Sequence, residues 1–293
     1  MASEGDRRPD LEVEARRSRL LGGLSLEAEG ARGVAIALLS TALFLTVIVV
    51  AISQSPGWPE VHRVFFGWHD ITSTFPEIAR AFVLNVKIFV VCEVFILVFA
   101  LLIAVLRSLP GPVFFPLRAL AIIYTDLARG VPTILVIALL GFGAPALQLQ
   151  GVPTSRVFWA GVGLVLIYSG YVAEVYRAGI ESVHPSQEAA ARSLGLSRAK
   201  ALRFVILPQA VRRVIPPLLN DFIGLQKDTA LVGTLGVIEA FNQSQIDANA
   251  TFTFGSYLAA AVLFVAITIP LARFTDVLIA RDRRRRQASG AFA

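Results

Sequence analysis

The stretch His184-Pro-Ser-Gln-Glu-Ala-Ala-Ala-Arg-Ser-Leu-Gly-Leu-Ser-Arg-Ala-Lys-Ala-Leu-Arg-Phe-Val-Ile-Leu-Pro208 is a polar, basic island between two long apolar runs, Val157–Tyr176 and Val214–Ala240. It reads as helix, glycine turn, helix. Ser186 is placed to cap a first helix, with Glu188 in the first turn, where a carboxylate suits the helix dipole. Gly195 is free to take the left-handed conformation that ends that helix. Ser197 is placed to cap a second helix, whose far end Pro208 disturbs. The side of the membrane on which this island sits fixes every other crossing of the chain, and its charge decides the side.

The 293 residues are 55% hydrophobic and only 16% charged, with a mean hydropathy of +0.67. Soluble proteins run at about 45–50% apolar and about 25% charged. This composition excludes an ordinary water-soluble enzyme, a disordered chain and a disulfide-rich domain. Cys92 is the single cysteine, so the sequence offers no disulfide framework and no cysteine-based metal site. The net charge is +6, with Lys87, Lys200 and Lys227 the only lysines beside many arginines. Such an excess points to nucleic acid or a membrane surface, and its distribution separates the two.

About 20 apolar residues cross a bilayer. Candidate spans are Gly33–Ile52, Ala81–Leu106, Val113–Leu147, Val157–Tyr176, Val214–Ala240 and Gly255–Leu271. The first follows a long Arg-rich tail and exceeds a signal-peptide core, so it reads as an uncleaved anchor. The third and fifth could each be one broken span or two short ones. Positive residues stay cytoplasmic in short loops. Single spans leave the N-terminal tail, Arg107, Arg118, the Arg177–Arg213 loop and the Arg281–Arg286 tail inside, and only Arg63, Arg80 and Arg156 outside. Splitting either span alone would expose whole clusters of arginine. The expected fold is therefore an all-α integral membrane protein with six transmembrane helices and both termini cytoplasmic.

The third span is interrupted by Asp126-Leu-Ala-Arg129-Gly-Val-Pro132, and the fifth by Pro216-Pro217, Asn220-Asp221, Lys227-Asp228-Thr229 and then Gly233 and Gly236. Interrupted helices carrying charge are tolerated in a membrane only against protein or a watery cavity, and in transporters they often form the substrate site. Glu93, Asp126, Arg129, Asp221, Lys227 and Asp228 are accordingly candidates for lining a substrate pathway. The bland alternative is mutual pairing that holds the broken helices, for which Asp126 and Arg129, three residues apart, are suited. Glu174 and Arg177, at a membrane boundary, read as such a structural pair. Lys87 reads as a snorkelling residue near the outer end of its span.

The island also resembles a helix-turn-helix DNA reader, but both flanks enter membrane within a few residues, leaving no room for a supporting third helix. It resembles more closely the "EAA" signature of the permease subunits of ATP-binding-cassette importers for polar amino acids: Glu188-Ala189-Ala190, then Gly195, then Ile206 with Leu207-Pro208. One departure stands out, because the position where the family has its glutamate is Ala189, one place after Glu188. The resemblance continues through Tyr124-Thr-Asp126-Leu-Ala-Arg129-Gly130-Val-Pro132, Tyr168-Ser-Gly170-Tyr-Val-Ala-Glu174-Val-Tyr-Arg177-Ala-Gly179-Ile, Leu219-Asn220-Asp221-Phe and Lys227-Asp228-Thr229.

The match covers roughly residues 77–280. It implies a permease core over 77–280 with a cytoplasmic coupling loop at 177–213, flanked by an Arg-rich tail (1–32), an extra anchor (33–52) and a basic tail (281–293). It further implies a bacterial cytoplasmic (inner) membrane protein that works with a second permease copy, cytoplasmic ATPase subunits and an extracytoplasmic amino-acid-binding protein. The chain has no Gly-x-x-x-x-Gly-Lys-Ser/Thr loop, so ATP is expected to be bound and hydrolysed by a partner, with no cofactor and no metal in this chain. No catalytic constellation is present, and besides membrane lipid no nucleic acid is expected. The competing class is a secondary amino-acid transporter driven by an ion gradient, which broken helices and buried charges also suit. The loop discriminates, since a secondary carrier has no need of a helical knob ending in Leu-Pro.

Overall fold

A computed structural model describes residues 32–109 and 111–290, the side chains of 282–290 excepted. The Arg-rich N-terminal tail and the Arg283–Arg286 side chains lie outside the described residues. The chain divides between Arg63 and Val64 into two compact units. The first holds the apolar helix α1 (Arg32–Ser53); α2 (Trp58–Phe66) follows.

The second unit is a helical bundle, and no strand occurs among the described residues. It begins with α3 (Trp68–Ser108), followed by α4 (Phe115–Gly130), α5 (Thr133–Ala146) and α6 (Arg156–Glu181). Among the described residues four helices are long and apolar enough to cross a membrane, or five if α4 and α5 form one broken span. The break falls where the sequence placed it. Val131, ahead of Pro132, is extended (φ −98°, ψ 131°), as a residue before proline prefers, and the two helices meet at 101°.

α6 is the central post, packed against α3, α4, α5 and α9 (Leu207–Asp228). Helices in lipid gain little from the hydrophobic effect and associate through close packing of small residues. Gly170 supplies that contact, because a Cβ there would run into the Cβ of Ala128 on α4. Ile96, Ile137, Leu164, Leu225 and Leu235, all essentially buried, fill the space around the post.

The basic island forms α7 (Pro185–Ser193), a turn, and α8 (Arg198–Ala201). Its first cap differs from the expected Ser186. Pro185, with no N–H to satisfy, occupies the first helical position, so the helix starts earlier and His184 becomes the cap, its Nδ1 accepting the Ser186 N–H at 3.2 Å. Gly195 is left-handed (φ 85°), and the Gly195 and Leu196 amides donate to the carbonyls of Arg192 and Ala191, a Schellman ending. Ser197 Oγ accepts from the Lys200 amide at 3.4 Å. A π turn over Leu202–Ile206 follows, in which the Leu207 amide reaches back to the Leu202 carbonyl. Pro208, lacking an amide, comes next, and the chain runs on into α9.

α9 is continuous through Pro216-Pro217, contrary to the expected interruption. The carbonyls that these prolines leave free belong to Arg212 and Arg213, at the polar end of the helix and not in its apolar centre. The break comes at the expected Lys227-Asp228-Thr229, where α9 ends and a 3-10 turn (Thr229–Leu235) leads to the short α10 (Ala240–Thr251), so Val214–Ala240 is not one helix. The bundle closes with α11 (Gly255–Gly290).

Candidate functional site

Charged side chains of α3, α4 and α6 converge on Glu174. Arg107 Nη1 donates to its Oε2 at 2.8 Å and also to Thr125 Oγ1 on α4 at 3.0 Å. Arg177 donates to both Glu174 oxygens and to Glu181. Arg129 Nη1 stands 3.9 Å from Glu174 Oε1. The expected Asp126–Arg129 pair is not what forms: Arg129 leans across to α6, where a carboxylate already gathers cations, while Asp126 is exposed. The Glu174–Arg177 pair is present as expected. Arg107, read in the sequence only as a marker of the cytoplasmic side, is the member of the cluster that sequence reasoning missed.

Beside this cluster lies a cavity of about 190 Å³, lined by Arg129, Tyr171, Glu174, Val175, Ala178 and Asp221. The side chain of Arg129 is 46% exposed and held only at long range, so its donors remain available. On α9, Asp221 presents a buried Oδ2 with no hydrogen-bond partner in the structure. Buried carboxylate oxygens nearly always have a donor, so an orphan calls for an explanation. Glu93 on α3 lies within electrostatic reach of Asp221. Asp228 accepts a hydrogen bond from the Tyr168 hydroxyl at 3.0 Å, and Lys227 is exposed next to it. The cavity thus brings together Arg129 and Asp221 from the sequence candidates, with Glu93 near; Asp126 and Lys227 are not among its lining residues.

A second polar centre was not foreseen. Glu239 is fully buried and caps α10, accepting from the Phe241 and Asn242 amides at 3.0 and 2.8 Å. Asn85 on α3 donates to Glu239 Oε2 at 2.8 Å and accepts the Ala240 amide at 3.0 Å. A lone asparagine in an apolar helix was the available signal, since such residues glue helices across a membrane.

In the loop, Glu188 Oε1 lies 3.8 Å from Arg198 Nε, across the Gly195 turn. Ala189 and Ala190 are exposed, Ile206 is buried, and Leu207 and Pro208 are exposed. Leu194 and Phe204 are 85% and 64% exposed, giving a short helical knob with apolar tips.

Broken helices around a charged cavity, with a helical knob between α6 and α9, are the build of a membrane-embedded permease subunit. Residues 108–284 match the family model described as a binding-protein-dependent transport system inner membrane component, and the chain belongs to that family. It is 34% identical to a probable amino-acid permease protein, YxeN, of Bacillus subtilis (strain 168), over 72% of this chain and 93% of that protein. It is 33% identical to the glutamate transport system permease protein GluC of Corynebacterium glutamicum, over 70% of this chain and 92% of the relative. Among solved structures it resembles a chain from the crystal structure of an amino acid ABC transporter with histidines. There the TM-score is 0.65 and the identity 28%, over 74% of this chain and 98% of the other. The chain is therefore a multi-pass protein of the inner membrane that serves an ATP-binding-cassette importer, and the gradient-driven carrier finds no support.

Proposed function

We propose that the chain translocates a polar amino acid, taking it from an extracytoplasmic binding protein and using ATP hydrolysed by separate cytoplasmic subunits. The observation that carries this reading is the cavity, where the Arg129 guanidinium and the unpartnered Asp221 oxygen lie on facing elements. A free amino acid brings a carboxylate and an ammonium, each costly to desolvate alone. Arg129 serves the first by charge-assisted hydrogen bonds and Asp221 the second. Glu93 strengthens the cation site, while Asp126, Lys227 and Asp228 line the approach. Relatives named for amino acids, glutamate among them, support the substrate class.

The loop at 177–213, with Glu188, Ala189, Ala190, Gly195, Ile206, Leu207 and Pro208, docks the ATPase in this reading; Leu194 and Phe204 are its apolar contacts. Glu188 braces the hairpin through Arg198. The chain crosses six times, with both termini cytoplasmic, and pairs with a second permease copy. Its permease core is 77–280, after a tail (1–32) and an anchor (33–52) and before a basic tail (281–293).

The test is uptake of labelled amino acids by proteoliposomes holding the permease, its ATPase and its binding protein. Asp221→Asn and Arg129→Gln are each expected to abolish uptake while membrane insertion and ATPase assembly stay normal. Lys227→Ala should likewise lower uptake. Full uptake by both cavity variants would remove the cavity from the pathway.

A further inference from the structure

A second opening lies on another face of α6. It is a groove of about 700 Å³ between α3 and α6, with Tyr124 of α4 among its lining residues. Its walls are apolar, and Lys87 is the one charged side chain among the described lining residues. Two contacts set the direction of the walls. Cys92 Sγ on α3 lies 3.6 Å from the Gly161 carbonyl on α6, and further along Arg107 meets Glu174. The two helices therefore run the same way, so Lys87 and Val157 share one end of the groove, and Ile103 and Ser169 the other.

Lys87 is 20 residues before Arg107, about 30 Å along a helix, which is about the thickness of a bilayer's hydrocarbon core. Arg107 is held in the inner charge cluster, so Lys87 stands at the opposite, outer head-group level. From Lys87 to Ile103 the groove runs about 24 Å, deeper than the roughly 15 Å of hydrocarbon in one leaflet. An apolar trench opening at head-group level, with a lone exposed cation at its rim, has the charge and shape of a lipid seat.

We propose that this groove holds a phospholipid, with an acyl chain along α3 and α6 and its phosphate on Lys87. The site prefers a lipid of net negative charge, because the groove supplies a cation and no carboxylate. The seated lipid fills the space between α3 and the central post, on which the candidate substrate cavity also depends.

The test uses the full chain purified in mild detergent and examined by native mass spectrometry after addition of phosphatidylglycerol or phosphatidylcholine. The wild-type chain is expected to retain phosphatidylglycerol in preference to phosphatidylcholine. Lys87→Gln should weaken phosphatidylglycerol retention about fivefold, the worth of one lysine at an anionic lipid surface, weaken phosphatidylcholine less, and so narrow the preference for the anionic lipid. Val91→Trp, at a lining position 55% exposed and so free to accept a larger side chain, should lose both lipids while the chain stays monodisperse. Equal retention by both variants would overturn the proposal. So would efficient disulfide formation between two Val91→Cys chains in native membranes, which would place a second copy in the groove.

Discussion

Replacing Gly195 isolates what the loop turn contributes. The residue sits at φ 85°, and a Cβ built there meets nothing within 4 Å. A substitution therefore acts through the backbone and not through a clash. The left-handed conformation costs an ordinary L-residue about 1–2 kcal/mol, less for asparagine, which tolerates it, and more for a β-branched residue. Within the Schellman ending, the Gly195 and Leu196 amides hold the last carbonyls of α7, so this cost falls on the hairpin itself. It corresponds to a factor of roughly 5–30 in the population of the docking-competent turn. The assay is the amount of ATPase subunit that copurifies with the tagged permease, measured together with the thermal midpoint of the permease alone. Assembly should decline in the order Gly, Asn, Ala, Val, with the midpoint nearly constant because the turn touches little of the membrane core. Full assembly by Gly195→Val, or losses of equal size in Asn and Val, would refute the reasoning.

Two further outcomes follow from the charged residues. Glu174→Gln leaves Arg107, 15% exposed, beside Arg129 and Arg177 without their shared carboxylate; a loss of about 1.5–3 kcal/mol, the worth of a hydrogen bond to a charged group, should lower the thermal midpoint by several degrees, and an unchanged midpoint would show that the cluster is not structural. Asp247 lies on α10, outside the long apolar helices, and burial raises its carboxyl above the usual range, partly offset by the Gln243 hydrogen bond. A raised folded-state pKa favours folding below about pH 3.9, and that contribution is lost as pH climbs through the folded value. Asp247→Asn should therefore raise the thermal midpoint at pH 8 and change it little at pH 4; the same effect at both pH values would sink the argument.

Much of the fold was legible because a bilayer imposes hard rules on sequence. Runs of about 20 apolar residues located most spans, and Pro132 marked the α4–α5 break correctly because an extended Val131 is what a following proline demands. Pro216-Pro217 misled, since a proline pair near the polar end of a helix costs little that the surroundings cannot supply. The cap at His184 was hidden for a related reason: proline at the first helical position moved the start back, and imidazole is not an obvious cap. Of the site, Arg129 and Asp221 were readable as charges that a membrane rarely tolerates without use. Their meeting in one cavity was not, because it depends on α4 and α9 both packing against α6, which no spacing rule contains. Arg107 and Asn85 escaped because their partners, Glu174 and Glu239, lie 67 and 154 residues away.

The most direct measurement of the central claim is labelled amino-acid uptake into proteoliposomes carrying the permease with its ATPase and binding protein, run with and without internal ATP and an ionophore. The account predicts uptake that requires ATP on the cytoplasmic face, is stimulated by loaded binding protein, survives the ionophore and vanishes in Asp221→Asn. Uptake that persists without ATP and collapses with the ionophore would contradict it.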